Sequence, residues 1–176
     1  MKQHFADFDL TAFWHEYGKP PVELTDGMVE KAEKFLGYKL PVSYIALLKT
    51  KNGGCPINRC FPTTEAAISW AEDHIAISTI EGIGVRFGID DEEGGSPYMI
   101  NEWGYPDVGI VVCGCPSAGH DVVMLDYSDC GKNGEPKIIH VETETETGEP
   151  KVIVLAKDFE TFIRGLVNDD EFDVDD

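Results

Sequence analysis

The chain has 176 residues, 42% of them hydrophobic and 10% aromatic, which suffices for one domain whose core needs no covalent staple. A formal net charge of −19 excludes the usual electrostatics of a nucleic-acid binder, and no apolar run reaches the length of a membrane span. No secretory signal is visible in MKQHFADFDL, and cysteines at 55, 60, 113, 115 and 130 form no disulfide framework, so free thiols in the cytoplasm are expected.

Leu10–Tyr17 is expected to be a short helix, stopped by Gly18 and broken by Pro20-Pro21, with Trp14 packed onto the body. Thr25 caps a helix over Asp26–Leu36, whose inner face is read as Met28, Ala32, Phe35 and Leu36 and whose left-handed end is Gly37. A second helix opens with Pro41 in its first turn, lines one face with Tyr44, Ile45 and Leu48, and terminates at Asn52-Gly53-Gly54. From 55 to 87 the pattern is weaker. Arg59–Phe61 reads as a short strand, Ala66–Ala71 as strand or helix, and Ile75–Phe87 as a strand bent at Gly82 and Gly84.

Gly88–Asp107 is a long acidic insertion in which Ser96 caps, and Pro97 opens, one helical turn through Trp103. Val108–Val141 then holds three β-branched runs separated by turn residues, a strand meander with Asn133-Gly134 expected to supply positive φ. A polar connection over Glu142–Glu149 turns at Gly148-Glu149-Pro150. Val152–Leu155 follows as a strand, and Asp158 caps a last helix with Phe159, Phe162, Ile163 and Leu166 inward. This order predicts an α+β fold: a mostly antiparallel sheet with N-terminal helices and a C-terminal helix packed around it. The single domain spans 1–176, with its core at about 24–167 and an acidic tail at 168–176.

Two constellations carry candidate chemistry. Cys113, Cys115, His120, Cys130 and His140 offer metal-ligand types on strands expected to be neighbours, but the spacing departs from the usual C-x₂₋₄-C, and cysteines scattered on strands are more often buried hydrophobes. His120-Asp121 with Asp126 is conceivable as a general base, yet no nucleophile elbow or phosphate-binding glycine loop accompanies it, so no catalytic residue and no cofactor are assigned. The second is acidic and aromatic. Cys60 to Cys130 carries thirteen acids against the single Arg86, a net of −12. Asp90, Asp91, Glu92 and Glu93 with Trp103 and Tyr105 have the makings of aromatic anchors in a charged rim, with Trp70 as a further candidate; the competing reading puts both tryptophans in the core.

Leu40-Pro41, Tyr44, Leu47-Leu48 and Asn52-Gly53-Gly54 resemble the helix and turn that mark SMI1/KNR4 proteins of the SUKH superfamily. Gly119-His120-Asp121, Met124-Leu125-Asp126-Tyr127, Gly134-Glu135-Pro136, His140-Val141 and the closing helix through Phe159, Phe162 and Leu166 are similar to a bacterial branch of it, and the likeness covers Leu24 to Val167. The resemblance implies an α+β fold and no catalytic residues. For bacterial members it implies immunity proteins that neutralise toxins, often nucleases, of polymorphic or contact-dependent systems; eukaryotic relatives look like regulators of cell-wall synthesis and signalling. The expectation is therefore a non-enzymatic cytoplasmic protein that binds a basic protein toxin and neither nucleic acid nor membrane. The alternatives are an adaptor of the same fold, or a zinc-stabilised module or metal-dependent enzyme centred on Cys113–His140.

Overall fold

Four long strands in sequence order form the frame onto which everything else packs. The computed structural model describes residues 3–17, 22–65 and 71–172. Its elements are α1 (Asp26–Leu36), α2 (Val42–Thr50), β1 (Cys60–Pro62), β2 (His74–Ala76), β3 (Thr79–Ile80), α3 (Ser96–Trp103), β4 (Gly109–Gly114), β5 (Asp121–Asp126), β6 (Lys137–Glu142), β7 (Lys151–Ala156) and α4 (Phe159–Gly165), with 3₁₀ turns at Leu10–Ala12 and Asp169–Phe172. The main sheet runs β3-β4-β5-β6-β7, antiparallel throughout, and β1 pairs with β2 in a separate ribbon. This is the α+β arrangement expected from the sequence.

The sheet is covered on both faces, which is why β5 is buried at every position and its sequence is a nearly unbroken apolar run. One face places Ile110, Val123, Leu125, Ile138 and Ile153 in a core with Tyr44, Leu47 and Leu48 of α2 and Phe159, Phe162 and Ile163 of α4. Val111, Val122, Met124, Ile139 and Val141 face the other way, under Tyr105 and the Met99 and Ile100 side chains of α3. A register shift between Val111 and Cys113 puts Val112 and Cys113 on the same side, so the strand delivers two successive side chains to the larger core.

α1 begins and ends as its residues dictate: the Thr25 hydroxyl accepts from the Met28 N–H, and Gly37 closes the helix at φ 79°. Its face is rotated from the expected one. Val29 and Ala32 are buried, whereas Phe35 is 47% exposed. Other boundaries also differ. Leu10–Tyr17 holds one 3₁₀ turn capped by Asp9, because Trp14 leaves helical geometry to bridge Pro56 and its indole N–H donates to the Thr50 hydroxyl. Pro41 caps α2 rather than opening it. The Ile75–Phe87 strand is two short strands followed by a loop. Gly95 caps α3, while the Ser96 hydroxyl turns inward to accept from the Val111 N–H. In the β5–β6 connection the left-handed residue is Gly131, not Asn133 or Gly134. Of Ala66–Ala71, only Ala71 falls among the described residues.

The N-terminal segment is stitched to the last helix. Glu160 of α4 accepts from the Phe5 N–H at 2.9 Å, meets His4 Nδ1 at 2.6 Å and pairs with Arg164, whose guanidinium also donates to the Ala6 carbonyl and lies over Phe8. Burial opposes the charge of Glu160, but the hydrogen bonds from His4, Phe5 and Arg164 outweigh it and hold the carboxyl at about 2 against an ordinary 4.5. A depressed carboxyl stabilises the fold above its unfolded value, and that contribution is lost as pH falls through the folded one. Urea denaturation of the wild type and Glu160→Gln should therefore show a stability gap that is full near neutrality and closes between pH 4.5 and about 2. A gap that does not change with pH would show that the carboxylate charge contributes nothing.

Candidate functional site

The acidic insertion is a built loop, and its construction starts one helix away. At the end of α2 the buried Asn52 side chain acts like a strand edge: its Nδ2 donates to the Ile83 carbonyl at 2.9 Å and its Oδ1 accepts from the Ile83 N–H at 2.8 Å. Gly82 is required beside this clamp, since a Cβ there would sit 2.4 Å from the Asn52 carbonyl oxygen. Ile83 and Ile89 point into the core, and the Ile89 N–H donates to the Gly82 carbonyl. Loop 81–95 is thus hydrophobically anchored at two points, with Arg86 and Phe87 on the arc between them and the four acids directly after the second.

Those acids divide into two kinds. Asp90 accepts from the Gly84 N–H, and Asp91 accepts from the Phe87 and Glu93 N–H groups, so both carboxylates shape the loop. The Phe87 and Glu93 N–H groups hold Asp91 below its ordinary value. Glu92 and Glu93 are exposed. Among the described residues, none of the four carboxylates lies within 4.0 Å of a cation. Arg86, which acts on Asp91, and Lys31 line the same hollow, so the four carboxylates outnumber the cations near them.

Beside it lies an aromatic cleft of about 390 Å³ between the loop and α3, walled by Phe87, Tyr98, Met99 and Trp103 and bordered by Glu81 and Glu93. Phe87 is 58% exposed and held in the left-handed region at φ 60°, with its N–H bound by Asp91. Trp103 is 45% exposed, in edge contact with Tyr98 and seated over Gly119, where any Cβ would strike its ring. Burial pushes the Glu81 carboxyl up, against hydrogen bonds from the Thr79 hydroxyl and the Gly114 N–H. No cation pairs with Glu81 among the described residues.

Tyr105 is not part of this surface. It is 3% exposed, its hydroxyl donates to the Gly119 carbonyl at 2.6 Å, and burial raises its phenol. Gly104, at φ 78°, ends α3 and turns the chain so that Tyr105 faces the sheet. Trp70 lies outside the described residues. Sequence reading places Tyr98 in the functional insertion beside the acids but does not single out Phe87 or Glu81. Both fall in the expected 75–87 strand, where Gly82 and Gly84 mark not a bend but the start of a loop.

The five Cys and His candidates do not converge. Cys113 is buried within the sheet, His120 is exposed at the β4–β5 turn near Glu144, and Cys130 is exposed in the β5–β6 connection at the opposite end of β5. What meets instead is Cys115, His140 and a residue outside that set, Asp121; their ligand atoms all lie within 4.8 Å of one another. The register explains it. Val123 is opposite His140, so Asp121, two residues earlier on β5, shares that face and lies diagonal to it. His140 Nε2 meets Asp121 Oδ2 at 2.7 Å, with both side chains buried. Burial works against the Asp121 charge, yet the hydrogen bonds from His140 and Ser117 more than offset it and keep the carboxyl below its ordinary value. Burial raises the Cys115 thiol well above its ordinary value.

In a comparison with protein families, the model described as SMI1 / KNR4 family (SUKH-1) matches residues 23–165. Curated proteins and solved structures give none.

Proposed function

The chain belongs to the SMI1/KNR4 (SUKH-1) family, and from that membership we propose that it is a non-enzymatic immunity protein that neutralises a basic toxin, such as a nuclease of a polymorphic or contact-dependent system. The family supports a protein-interaction domain; the observation that carries the finer reading is the run Asp90–Glu93, four carboxylates that outnumber the nearby Arg86 and Lys31, alongside exposed Phe87 and Trp103. An enzyme that grips phosphate presents cationic side chains, and an acidic inhibitor is their electrostatic complement. The cleft supplies the second half of such recognition. A lysine or arginine stem lies against Phe87, Tyr98 and Trp103 while its charged head reaches Glu81 or Glu93. The five free thiols suit a reducing cytoplasm, and no helix among the described residues is long and apolar enough to cross a membrane.

The test is titration of the purified chain with a cationic toxin domain encoded beside it, at NaCl from about 0.05 to about 0.5 M, a range over which the Debye length falls several-fold. Affinity should drop about tenfold or more, mostly through slower association, and Glu92→Gln with Glu93→Gln should remove much of that salt dependence. These two side chains are exposed and do not build the loop, so the double change reads charge alone. Binding indifferent to salt and to the double change would overturn the reading. Equal affinity for a basic non-toxin protein would point to the adaptor role instead.

A further inference from the structure

The buried cluster of Cys115, Asp121 and His140 plays no part in that surface, and it leaves one atom unexplained. Asp121 is 2% exposed, and while its Oδ2 meets His140, its Oδ1 has no hydrogen-bond partner. The Ser117 hydroxyl accepts from the His120 and Asp121 N–H groups, and with the Cys115 thiol it is the group near enough to act on the Asp121 carboxylate besides His140. A buried carboxylate oxygen without a donor is rare, because it forfeits its hydration and receives nothing in return. Here the neighbour that faces it is a thiol, with an imidazole nitrogen on the other side, and the three donor atoms sit within 4.8 Å.

The geometry points to a binding site for one divalent transition-metal ion, Zn²⁺ in the first instance, held by Cys115 Sγ, Asp121 through its unpartnered carboxylate oxygen, and His140 Nε2. The donor set is the one such ions select: a soft thiolate, a borderline imidazole and a carboxylate, at separations that a modest contraction brings to tetrahedral zinc distances. The charges also close. Thiolate and carboxylate carry −2, the neutral imidazole none, and a dication brings the buried site to zero, whereas either anion alone would be costly. Loading displaces the thiol proton and any proton shared by the His140–Asp121 pair, so metal uptake releases protons to solvent. A water molecule completes the fourth position. The ligands come from three successive segments of the meander: Cys115 just after β4, Asp121 opening β5 and His140 on β6. An ion there would clamp one end of the sheet independently of any partner.

Because the site is sealed by the β4–β5 turn, the full chain is refolded with excess CoCl₂, desalted, and assayed for cobalt per chain and for a thiolate-to-cobalt charge-transfer band. One cobalt per chain, the band, its displacement by ZnSO₄ and acidification of an unbuffered solution on loading are the expected results. Cys113→Ser, which removes the neighbouring buried thiol, should keep the band, and Cys115→Ser should abolish it. Should Cys115→Ser fail to fold, the wild-type measurement decides alone. A folded wild type without cobalt and without the band, or a band that survives Cys115→Ser, overturns the site and leaves Oδ1 to a buried water.

Discussion

Asn52→Ala should cost about 2 to 6 kcal/mol and loosen the acidic loop without altering a single exposed residue. The side chain makes two buried hydrogen bonds to one peptide unit, donating to the Ile83 carbonyl and accepting from its N–H. Alanine leaves both groups buried and unpartnered, and each such group costs about 1 to 3 kcal/mol. Neither water nor a neighbour can substitute easily, because Ile83 is fully buried and Gly82 is already in tight contact with the Asn52 backbone. The loss is local first. Amide hydrogen exchange should accelerate at Ile83, Ile89 and Ser96, whose N–H groups hold the loop together, before β5 and β6 are affected. Asn52→Asp should be no better, since it keeps the acceptor but sets a carboxylate oxygen against the Ile83 carbonyl. If the loop orients the acids for a basic partner, affinity falls with it. Unchanged exchange in 83–96 would show that the clamp is dispensable.

Phe162→Ala should be the most damaging single change in the core, at about 3 to 5 kcal/mol. The ring is fully buried, 5.3 Å from Phe61 and 6.3 Å from Phe159, and so joins α4 to the β1–β2 ribbon and to the core over the main sheet. A domain of this size has about 5 to 15 kcal/mol in all, so the variant sits near the edge of folding. Its signature differs from that of Asn52→Ala. The urea midpoint should fall with an unchanged slope, and exchange should accelerate across the whole sheet at once. Phe162→Leu, which refills part of the space, should recover more than half of the loss. A midpoint shift no larger than that of an exposed substitution would mean that the core closes over the missing ring.

The parts of this fold written in local chemistry were legible in the sequence. Thr25 and Gly37 bound α1 because a hydroxyl cap and a left-handed glycine act within a few residues, and the β-branched runs from Val108 to Val141 could only be neighbouring strands. What depended on distant contacts was not. Phe35 and Val29 are both apolar on α1, and only the position of the sheet decides which is covered. Ile83 reads as a strand residue and Ile89 as part of the acidic insertion, but the Asn52 clamp and the Ile89–Gly82 hydrogen bond make them anchors of one loop. The candidate surface was half visible: a run of four acids announces itself, whereas the use of Asp90 and Asp91 as backbone acceptors, and the turn at Gly104 that takes Tyr105 inside, need the folded path. Asp121 is legible beside His120, but its place next to His140 follows only from the pairing of Val123 with His140 across β5 and β6.

The stitching of the N-terminal segment to α4 sets a timetable for the newborn chain. Phe5 and His4 find their partner Glu160 155 and 156 positions later. At about 5 to 20 residues per second, a ribosome delivers that partner on the order of 10 to 30 seconds after the aromatic residues Phe5 and Phe8 leave the tunnel. Through that interval the meander can assemble strand by strand, each on its predecessor, while the first aromatic residues have no α4 to rest on. A segment made some 155 residues before its partner is thereby fixed late, and a bulky fusion placed directly ahead of His4 burdens the closing step of its docking.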